Sequence, residues 1–108
     1  MKLNEYQDGA LTTAVYPESM RIIYPALGLA GESGEVADKV KKVLRDNECN
    51  FTEDKKREIA LELGDVLWYV ATLAEDIGYC LEDIAALNLA KLSSRKQRGM
   101  IGGSGDNR

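Results

Sequence analysis

The sequence has no histidine among its 108 residues. That absence excludes histidine general bases, nucleophiles activated by histidine, and zinc sites with imidazole ligands. Catalysis by this chain would have to use carboxylates, lysines, tyrosines, or a metal ion held by oxygen ligands.

Cysteines and long apolar runs are also scarce. Cys49 and Cys80 form no CxxC pair, which indicates reduced thiols in a cytoplasmic protein. The longest apolar stretch, residues 66–74, is too short to span a bilayer, and residues 1–10 are too polar for a signal peptide. We therefore expect a soluble, cytoplasmic protein that does not associate with a membrane.

Length and net charge restrict the class of protein further. The chain is long enough for one domain, which we assign to residues 1–98, followed by a glycine-rich tail over residues 99–108. A net charge of −4 argues against binding nucleic acid through the whole surface. A domain this small often gains stability by oligomerising, which favours a homo-oligomer.

Helix breakers are few, since Pro17 and Pro25 are the only prolines. No segment alternates with a period of two over the length of a strand. The fold class is therefore predicted to be all-α, of the four-helix-bundle type. Apolar residues recur at helical spacing and predict four helices, over residues 4–16, 26–45, 53–77 and 81–98.

The third predicted helix has the clearest pattern. Thr52 precedes it as an N-cap, and Gly78 follows it as a C-terminal stop. Its apolar residues recur at a/d-type spacing and are predicted to form the core stripe: Ile59, Leu63, Val66, Val70, Leu73 and Ile77.

Two pairs of carboxylates lie on the two middle helices. Glu32 and Glu35 are three residues apart, as are Glu62 and Asp65, so each pair shares one helix face. At about 100° per residue, both pairs border the apolar stripe instead of lying opposite it. The two segments match with a constant offset of 30 residues, so two antiparallel helices could direct all four carboxylates toward one point.

Four carboxylates near a core repel one another and are poorly solvated, which is unfavourable without cations. Gly34 and Gly64, within the two pairs, leave room for a ligand to approach. Mg²⁺ is the simplest occupant, with Mn²⁺ as the alternative, and four acids predict two or more ions. A solvated acidic seam neutralised by Lys39 and Lys42 is the ordinary alternative.

The segments GLAGESGEVADKVKK (residues 28–42) and ELGDVLWYV (residues 62–70) resemble the MazG-like nucleotide pyrophosphohydrolases, all-α proteins with a paired E-x-x-E and E-x-x-D signature. The resemblance continues through NLAKLSSR (residues 88–95) and the tail. It implies hydrolysis of a nucleoside or deoxynucleoside triphosphate to the monophosphate and pyrophosphate, in a site completed across a homodimer or homotetramer. It also implies the catalytic, Mg²⁺-binding residues: Glu32, Glu35, Glu62 and Asp65.

A mechanism follows from the charges as a hypothesis. Mg²⁺ would activate a water for attack on the α-phosphorus and offset the charge on the leaving pyrophosphate. One carboxylate, Glu32 or Glu35, would orient or deprotonate that water.

The resemblance also suggests contacts with substrate: Tyr69 with the base, and Asn88 and Lys91 with sugar and phosphate. Lys39 and Arg95 are further candidates for phosphate. Each has an ordinary alternative: Tyr69 could pack at the helix boundary, Arg95 could complement the helix dipole, and Lys39 could moderate the acids.

Trp68 points away from the acidic side and is predicted to pack or to lie at a subunit interface. The tail could fold over bound phosphates through its backbone N–H groups and Arg108. A second function stays open beside the enzyme: a non-catalytic helical oligomerisation or binding module with a metal-stabilised acidic seam. Grouping four acids favours the enzyme, because a structural bundle gains nothing from it.

Overall fold

The computed structural model of the protein describes residues 1–99. Most of the predicted tail, including Arg108, lies outside the described residues. Within them the chain forms helices and no strand, which confirms the all-α prediction. The helices are α1 (Leu3–Leu11), α2 (Ile23–Asp46), α3 (Glu53–Asp76) and α4 (Leu81–Gln97), with a 3₁₀ turn at Glu18–Met20.

The ends of α3 follow from its capping residues. The Thr52 side chain accepts a hydrogen bond of 3.3 Å from the backbone N–H of Lys55, as an N-cap does. Gly78 has φ of 86°, a left-handed conformation that glycine adopts without steric cost and that ends the helix. The predicted ends of this helix are thus confirmed to within one residue.

Helix α1 ends earlier than predicted. The hydroxyls of Thr12 and Thr13 donate to the carbonyls of Gly9 and Ala10, at 2.6 and 2.9 Å, and so offer the backbone an alternative to the helix. The prediction of helix up to residue 16 is therefore wrong. Residues 12–22, here called the α1–α2 loop, include the 3₁₀ turn and end at a left-handed residue, Ile22 with φ of 70°.

Helix α2 begins three residues before its predicted start, because Pro25 lies in the first turn, where a missing N–H breaks no helical hydrogen bond. Helices α2 and α3 form a long antiparallel hairpin, and α1 and α4 pack near the C-terminal half of α3. No helix within residues 1–99 is both long and apolar enough to cross a bilayer.

A small core joins α1, α3 and α4. Its polar centre is Gln7, which is only 3% exposed. The Gln7 amide donates to the carbonyls of Ala71 and Tyr79, and its oxygen accepts from the N–H of Leu81 at 2.9 Å. This side chain ties α1 to the junction of α3 and α4. The buried apolar residues of this cluster are Ala10, Ala71, Ala74 and Leu81.

The predicted core stripe of α3 is only partly buried within one chain: Val70 packs against the small core, whereas Leu63 is 51% and Ile77 50% exposed. Helix α2 packs on the neighbouring face of α3, where Gly28 lies against the ring of Tyr69. When two helices pack antiparallel, the residue that follows an interhelical contact residue points to the same side of the hairpin on both helices. The two apolar stripes therefore form one surface, here called the apolar face: Leu29, Val36, Val40, Leu44, Ile59, Leu63, Val66, Leu73 and Ile77.

Candidate functional site

Three of the four predicted acids converge between α2 and α3. Glu32 of α2 and Glu62 and Asp65 of α3 each offer a carboxylate oxygen, and these oxygens lie within 4.8 Å of one another. Glu32 and Glu62 are half-buried, and Asp65 is exposed. The exposure of Asp65 leaves the group open to a ligand from solvent. We call Glu32, Glu62 and Asp65 the acidic group.

Glycines set the shape of the hairpin around the acidic group. A Cβ placed on Gly28, one turn before Glu32, would collide with the ring of Tyr69, so α2 can approach α3 closely only because this residue has no side chain. A Cβ on Gly34 or Gly64 would meet no atom within 4 Å. The hairpin is thus tight on one side of the acids and open beside them.

The acidic group has no cationic partner among residues 1–99. Lys41 and Lys42, the nearby lysines, pair instead with Asp38, at 3.1 and 2.9 Å. Lys39 is half-buried and forms no ion pair within the described residues. Lysines therefore do not neutralise the acidic group in the described part of the chain.

The pKa of Glu32 is raised above the ordinary carboxyl value. Loss of solvation is the largest cause, followed by the charges of Asp65, Glu62 and Glu35. Glu35 itself is exposed and lies outside the acidic group, one turn further along α2. Its negative charge nevertheless acts on Glu32, so the local charge is that of four acids.

A hard divalent cation suits this donor set. Carboxylate oxygens are the ligands that Mg²⁺ prefers. Glu32, Glu62 and Asp65 offer three of them within 4.8 Å of one another, and these residues would hold such an ion after small side-chain rotations. A bound cation would also relieve the repulsion that raises the pKa of Glu32.

Tyr69 lies between the acidic group and a cluster of aromatic rings. Its ring centroid is 5.0 Å from that of Trp68 and 6.2 Å from that of Tyr24. Tyr24 in turn stacks on Tyr16 at 5.0 Å. Burial raises the pKa of Tyr69, as do its hydrogen bond with Tyr24 and the charge of Glu32. The predicted base contact is therefore close to the acids and also packed against Gly28.

Trp68 packs as predicted. Its indole is half-buried against the small core, and Nε1 donates to the carbonyl of Ala10 at 3.2 Å and to the hydroxyl of Thr13 at 2.8 Å. The polar edge of the ring is thus fixed by the end of α1.

The candidate residues on α4 lie elsewhere in the chain. Asn88 and Lys91 line a cavity of about 530 Å³ with Ile77 and other apolar residues at the junction of α3 and α4. From Asp65 to Ile77 the axis of α3 runs about 18 Å, at 1.5 Å per residue. Arg95 is buried further along α4. Within residues 1–99 of one chain, α4 does not bring these side chains to the acidic group.

One polar residue at this end of α3 was missed from the sequence. Asp76 accepts hydrogen bonds from the Tyr16 hydroxyl at 2.9 Å, the Arg21 Nε at 3.2 Å and the Ile22 N–H at 2.8 Å. These contacts hold the α1–α2 loop on α3. The sequence marks the loop itself by a Tyr-Pro dipeptide at residues 16–17, but it carries no local signal of the Asp76 contacts.

The comparison with protein families agrees with this geometry. A family model described as the MazG nucleotide pyrophosphohydrolase domain matches residues 25–100, most of the chain and all four predicted acids. The chain belongs to the MazG nucleotide pyrophosphohydrolase family. The resemblance carried by the two acidic segments is thereby confirmed.

A relative of this MazG chain is the Gene 37 protein of Mycobacterium phage L5. The two are 46% identical over 114 aligned residues, which cover 100% of each chain. No solved structure gives a significant match.

Proposed function

We propose that this MazG protein hydrolyses a nucleoside or deoxynucleoside triphosphate to the monophosphate and pyrophosphate, in a reaction that requires Mg²⁺. The observation that carries the proposal is the acidic group. Three carboxylate oxygens from two helices lie within 4.8 Å of one another, with no cationic partner among residues 1–99. Such an arrangement is repulsive while the acids are ionised, and a bound cation would relieve that repulsion.

Each acid has a role in this proposal. Glu32, Glu62 and Asp65 hold the cations, and Glu35, one turn from Glu32, is the fourth ligand. When bound, Mg²⁺ supplies a Lewis acid for a water and for the phosphate oxygens. Glu32 or Glu35, the two acids of α2, orients the attacking water or accepts its proton.

The predicted substrate contacts differ in how they could reach the site. Tyr69 and Lys39 lie on α3 and α2 with the acids, so we assign them to the nucleoside end and to phosphate respectively. Asn88, Lys91 and Arg95 lie on α4, away from the acidic group of the same chain. We assign them to the substrate bound by a second copy.

The apolar face supports a homodimer, or a homotetramer built from such dimers. Pairing two α2–α3 hairpins through this face would bury it and produce a four-helix bundle from two chains. Leu63→Glu should then reduce the mass measured by light scattering to that of a monomer. A wild-type protein that is already monomeric at the same concentration would remove this part of the proposal.

The activity test reads the products and not only turnover. Purified protein is incubated with each of the common NTPs and dNTPs, with and without Mg²⁺, and pyrophosphate and monophosphate are measured. We expect pyrophosphate from at least one substrate, only with the metal. Release of inorganic phosphate instead would place the cleavage at another bond. Thermal stabilisation by Mg²⁺ without any product would favour the non-catalytic binding module.

A further inference from the structure

The first turn of α4 is capped by side chains of α1. Cys80 is the N-cap residue of α4, with extended backbone angles, but its side chain makes no capping bond within the described residues. The N–H of Leu81 donates instead to the amide oxygen of Gln7, at 2.9 Å. The N–H of Glu82 donates to the amide oxygen of Asn4, at 3.0 Å. Side chains of α1 thus satisfy two of the N–H groups that a helix leaves without internal partners.

The same side chains connect α1 to its other neighbours. The Asn4 amide also donates to the carboxylate of Glu82, so this pair is linked in both directions. The Gln7 amide donates to the carbonyl of Ala71 on α3, and the indole of Trp68 on α3 donates to the last turn of α1. Helix α1 therefore joins α3 to the start of α4.

The apolar packing of α4 on the small core is also near its start. Leu81 is 4% exposed and Ile84 packs against the core, whereas Leu87 and Leu89 are 60% and 67% exposed. Burial of apolar surface has no preferred direction, but a hydrogen bond favours a narrow range of angles. The two bonds from α1 therefore fix the direction in which α4 leaves the core.

We propose that α1 sets the angle between α3 and α4, and that Asn4 and Gln7 are positioning residues for the substrate contacts of α4. The inference rests on the proposed function, in which Asn88 and Lys91 contact the substrate bound by a second copy. Acids from α3 and side chains from α4 then meet around one molecule, so the placement of one helix relative to the other governs binding.

Distance along α4 magnifies an error at its first turn. Lys91 lies about 15 Å beyond Leu81 along the helix axis, at 1.5 Å per residue. A tilt of about 10° at Leu81 would move the helix at Lys91 by about 2.6 Å over that length. The favourable range of a hydrogen-bond distance spans only about 0.5 Å, so such a tilt would break a contact with phosphate.

The ordinary alternative is that Asn4 only stabilises the start of α4. Any other acceptor for the N–H of Glu82 would then serve equally well. Cys80→Ser supplies one, because serine is close in size to cysteine and its hydroxyl at an N-cap accepts from the N–H two or three residues further on. Asn4→Ala/Cys80→Ser therefore restores a cap without restoring the connection to α1.

Steady-state kinetics on the best nucleotide substrate separates the two roles. We expect Asn4→Ala to raise KM about 10-fold, the effect of losing one hydrogen bond to a charged group, with kcat close to wild type. Asn4→Ala/Cys80→Ser should regain thermal stability and keep the raised KM. A wild-type KM in Asn4→Ala, or recovery of KM together with stability in the double variant, would overturn the proposal.

Two further variants complete the set. Asn4→Asp/Glu82→Gln exchanges donor and acceptor between the two side chains and keeps an oxygen for the N–H at position 82, so it should have the wild-type KM. If it were as weak as Asn4→Ala, the pairing would not be what matters. Glu5→Gln, at an exposed acid of the same helix turn, is the control and should match the wild type.

The helix angle can be measured without any turnover. Residual dipolar couplings of the amides in α3 and α4 report the angle between the two helices, and light scattering checks that all proteins have one mass. We expect the angle to change in Asn4→Ala and in Asn4→Ala/Cys80→Ser, but not in Asn4→Asp/Glu82→Gln. An unchanged angle in Asn4→Ala, or a changed angle with a wild-type KM, would reject the positioning role. Asn4 is partly exposed, whereas Gln7 is buried and its loss would unfold the core, so the test uses Asn4.

Failure of this proposal can be told from failure of the proposed hydrolysis. Pyrophosphate release with the same KM and the same helix angle in wild type and Asn4→Ala would reject the positioning role and leave the activity. If no nucleotide yields pyrophosphate, binding of inorganic triphosphate with Mg²⁺ is measured by calorimetry. Weaker binding and a changed angle in Asn4→Ala would then support the positioning role and reject the hydrolysis.

Discussion

Two carboxylate environments on α3 have opposite character. Asp76, at the end of the helix, accepts three hydrogen bonds, one of which is an ion pair with Arg21. Glu62 and Asp65, in the middle, face Glu32 and have no cationic partner within residues 1–99. The first environment stabilises the chain by itself, whereas the second stores repulsion that a bound cation can relieve.

The pKa values of Asp76 and Glu32 move in opposite directions. Burial by itself would raise the pKa of Asp76, but bonds from Ile22, Tyr16 and Arg21 outweigh it and hold the pKa below the ordinary value. Lost solvation and neighbouring negative charges raise the pKa of Glu32. A carboxylate that accepts three hydrogen bonds indicates a structural role, and a cluster of carboxylates without a cationic partner indicates a binding role.

The largest expected effect comes from neutralising one member of the acidic group. Asp65→Asn should lower pyrophosphate release by more than about 100-fold, because losing a direct ligand should exceed the effect of changing a residue that only supports one. The metal-free protein should be as stable as the wild type or more so, since one repulsive charge is gone. Product assays and urea unfolding without Mg²⁺ measure the two effects.

Glu58→Gln is the control for that variant. Glu58 lies on the same helix and pairs with Lys55 at 3.4 Å, so it is an acid with a cationic partner at the surface. Its loss should leave turnover nearly unchanged and alter stability by less than about 1 kcal/mol. If both variants reduced activity alike, or if Asp65→Asn destabilised the metal-free chain, the contrast between the two kinds of acid would be lost.

Asp76→Asn should have the opposite effect on stability. An amide cannot accept all the bonds now made to the carboxylate, and hydrogen bonds to a charged group contribute about 2 kcal/mol. We expect a loss of about that size in the free energy of unfolding, measured at one protein concentration because oligomers unfold in a concentration-dependent way. Asp8→Asn, at an exposed aspartate of α1, should change it by less than about 0.5 kcal/mol.

The activity of Asp76→Asn distinguishes positioning from simple stability. If the Asp76 contacts position Tyr69 through the rings of Tyr16 and Tyr24, KM for the nucleotide should rise while kcat at saturation stays close to wild type, at a temperature where both proteins are folded. A fall in kcat with KM unchanged would contradict the positioning role.

Local signals in the sequence predicted the features that depend on neighbouring residues. Thr52 and Gly78 set the ends of α3 through their own backbone and side-chain chemistry. The C-terminal end of α1 was not predicted in this way, because the hydroxyls of Thr12 and Thr13 compete with the helix for its carbonyls. A period in the apolar residues could not distinguish a helix continuing to residue 16 from a turn.

The acidic group was predictable because its pattern is repeated on two helices at a constant offset. The sequence did not predict what covers the apolar stripe of α3. The spacing of apolar residues identifies an apolar face but not the chain that buries it, and Leu63 is half exposed in this chain. The Asp76 contacts join residues 54 to 60 positions apart, and no local pattern reports such a pairing. Tertiary packing alone placed Tyr16 against Tyr24, and Tyr24 near Tyr69.

The smallest expected effect is a pair of opposite pH dependences in metal-free protein. The pKa of Asp76 is lowered on folding, so its contribution is present above the unfolded value, about 3.9, and is lost as pH falls through the folded pKa. The stability difference between wild type and Asp76→Asn should therefore shrink below about pH 4.

The pKa of Glu32 is raised on folding, so its contribution is present below the unfolded value, about 4.3, and is lost as pH rises through the folded pKa. Glu32→Gln should accordingly gain on the wild type as pH rises through that range, and saturating Mg²⁺ should remove the gain by stabilising the wild type selectively. Urea unfolding from pH 3 to pH 8, with and without the metal, measures both curves. Parallel curves for the two variants would mean that Glu32 and Asp76 have the same kind of environment, against the contrast drawn from their neighbours.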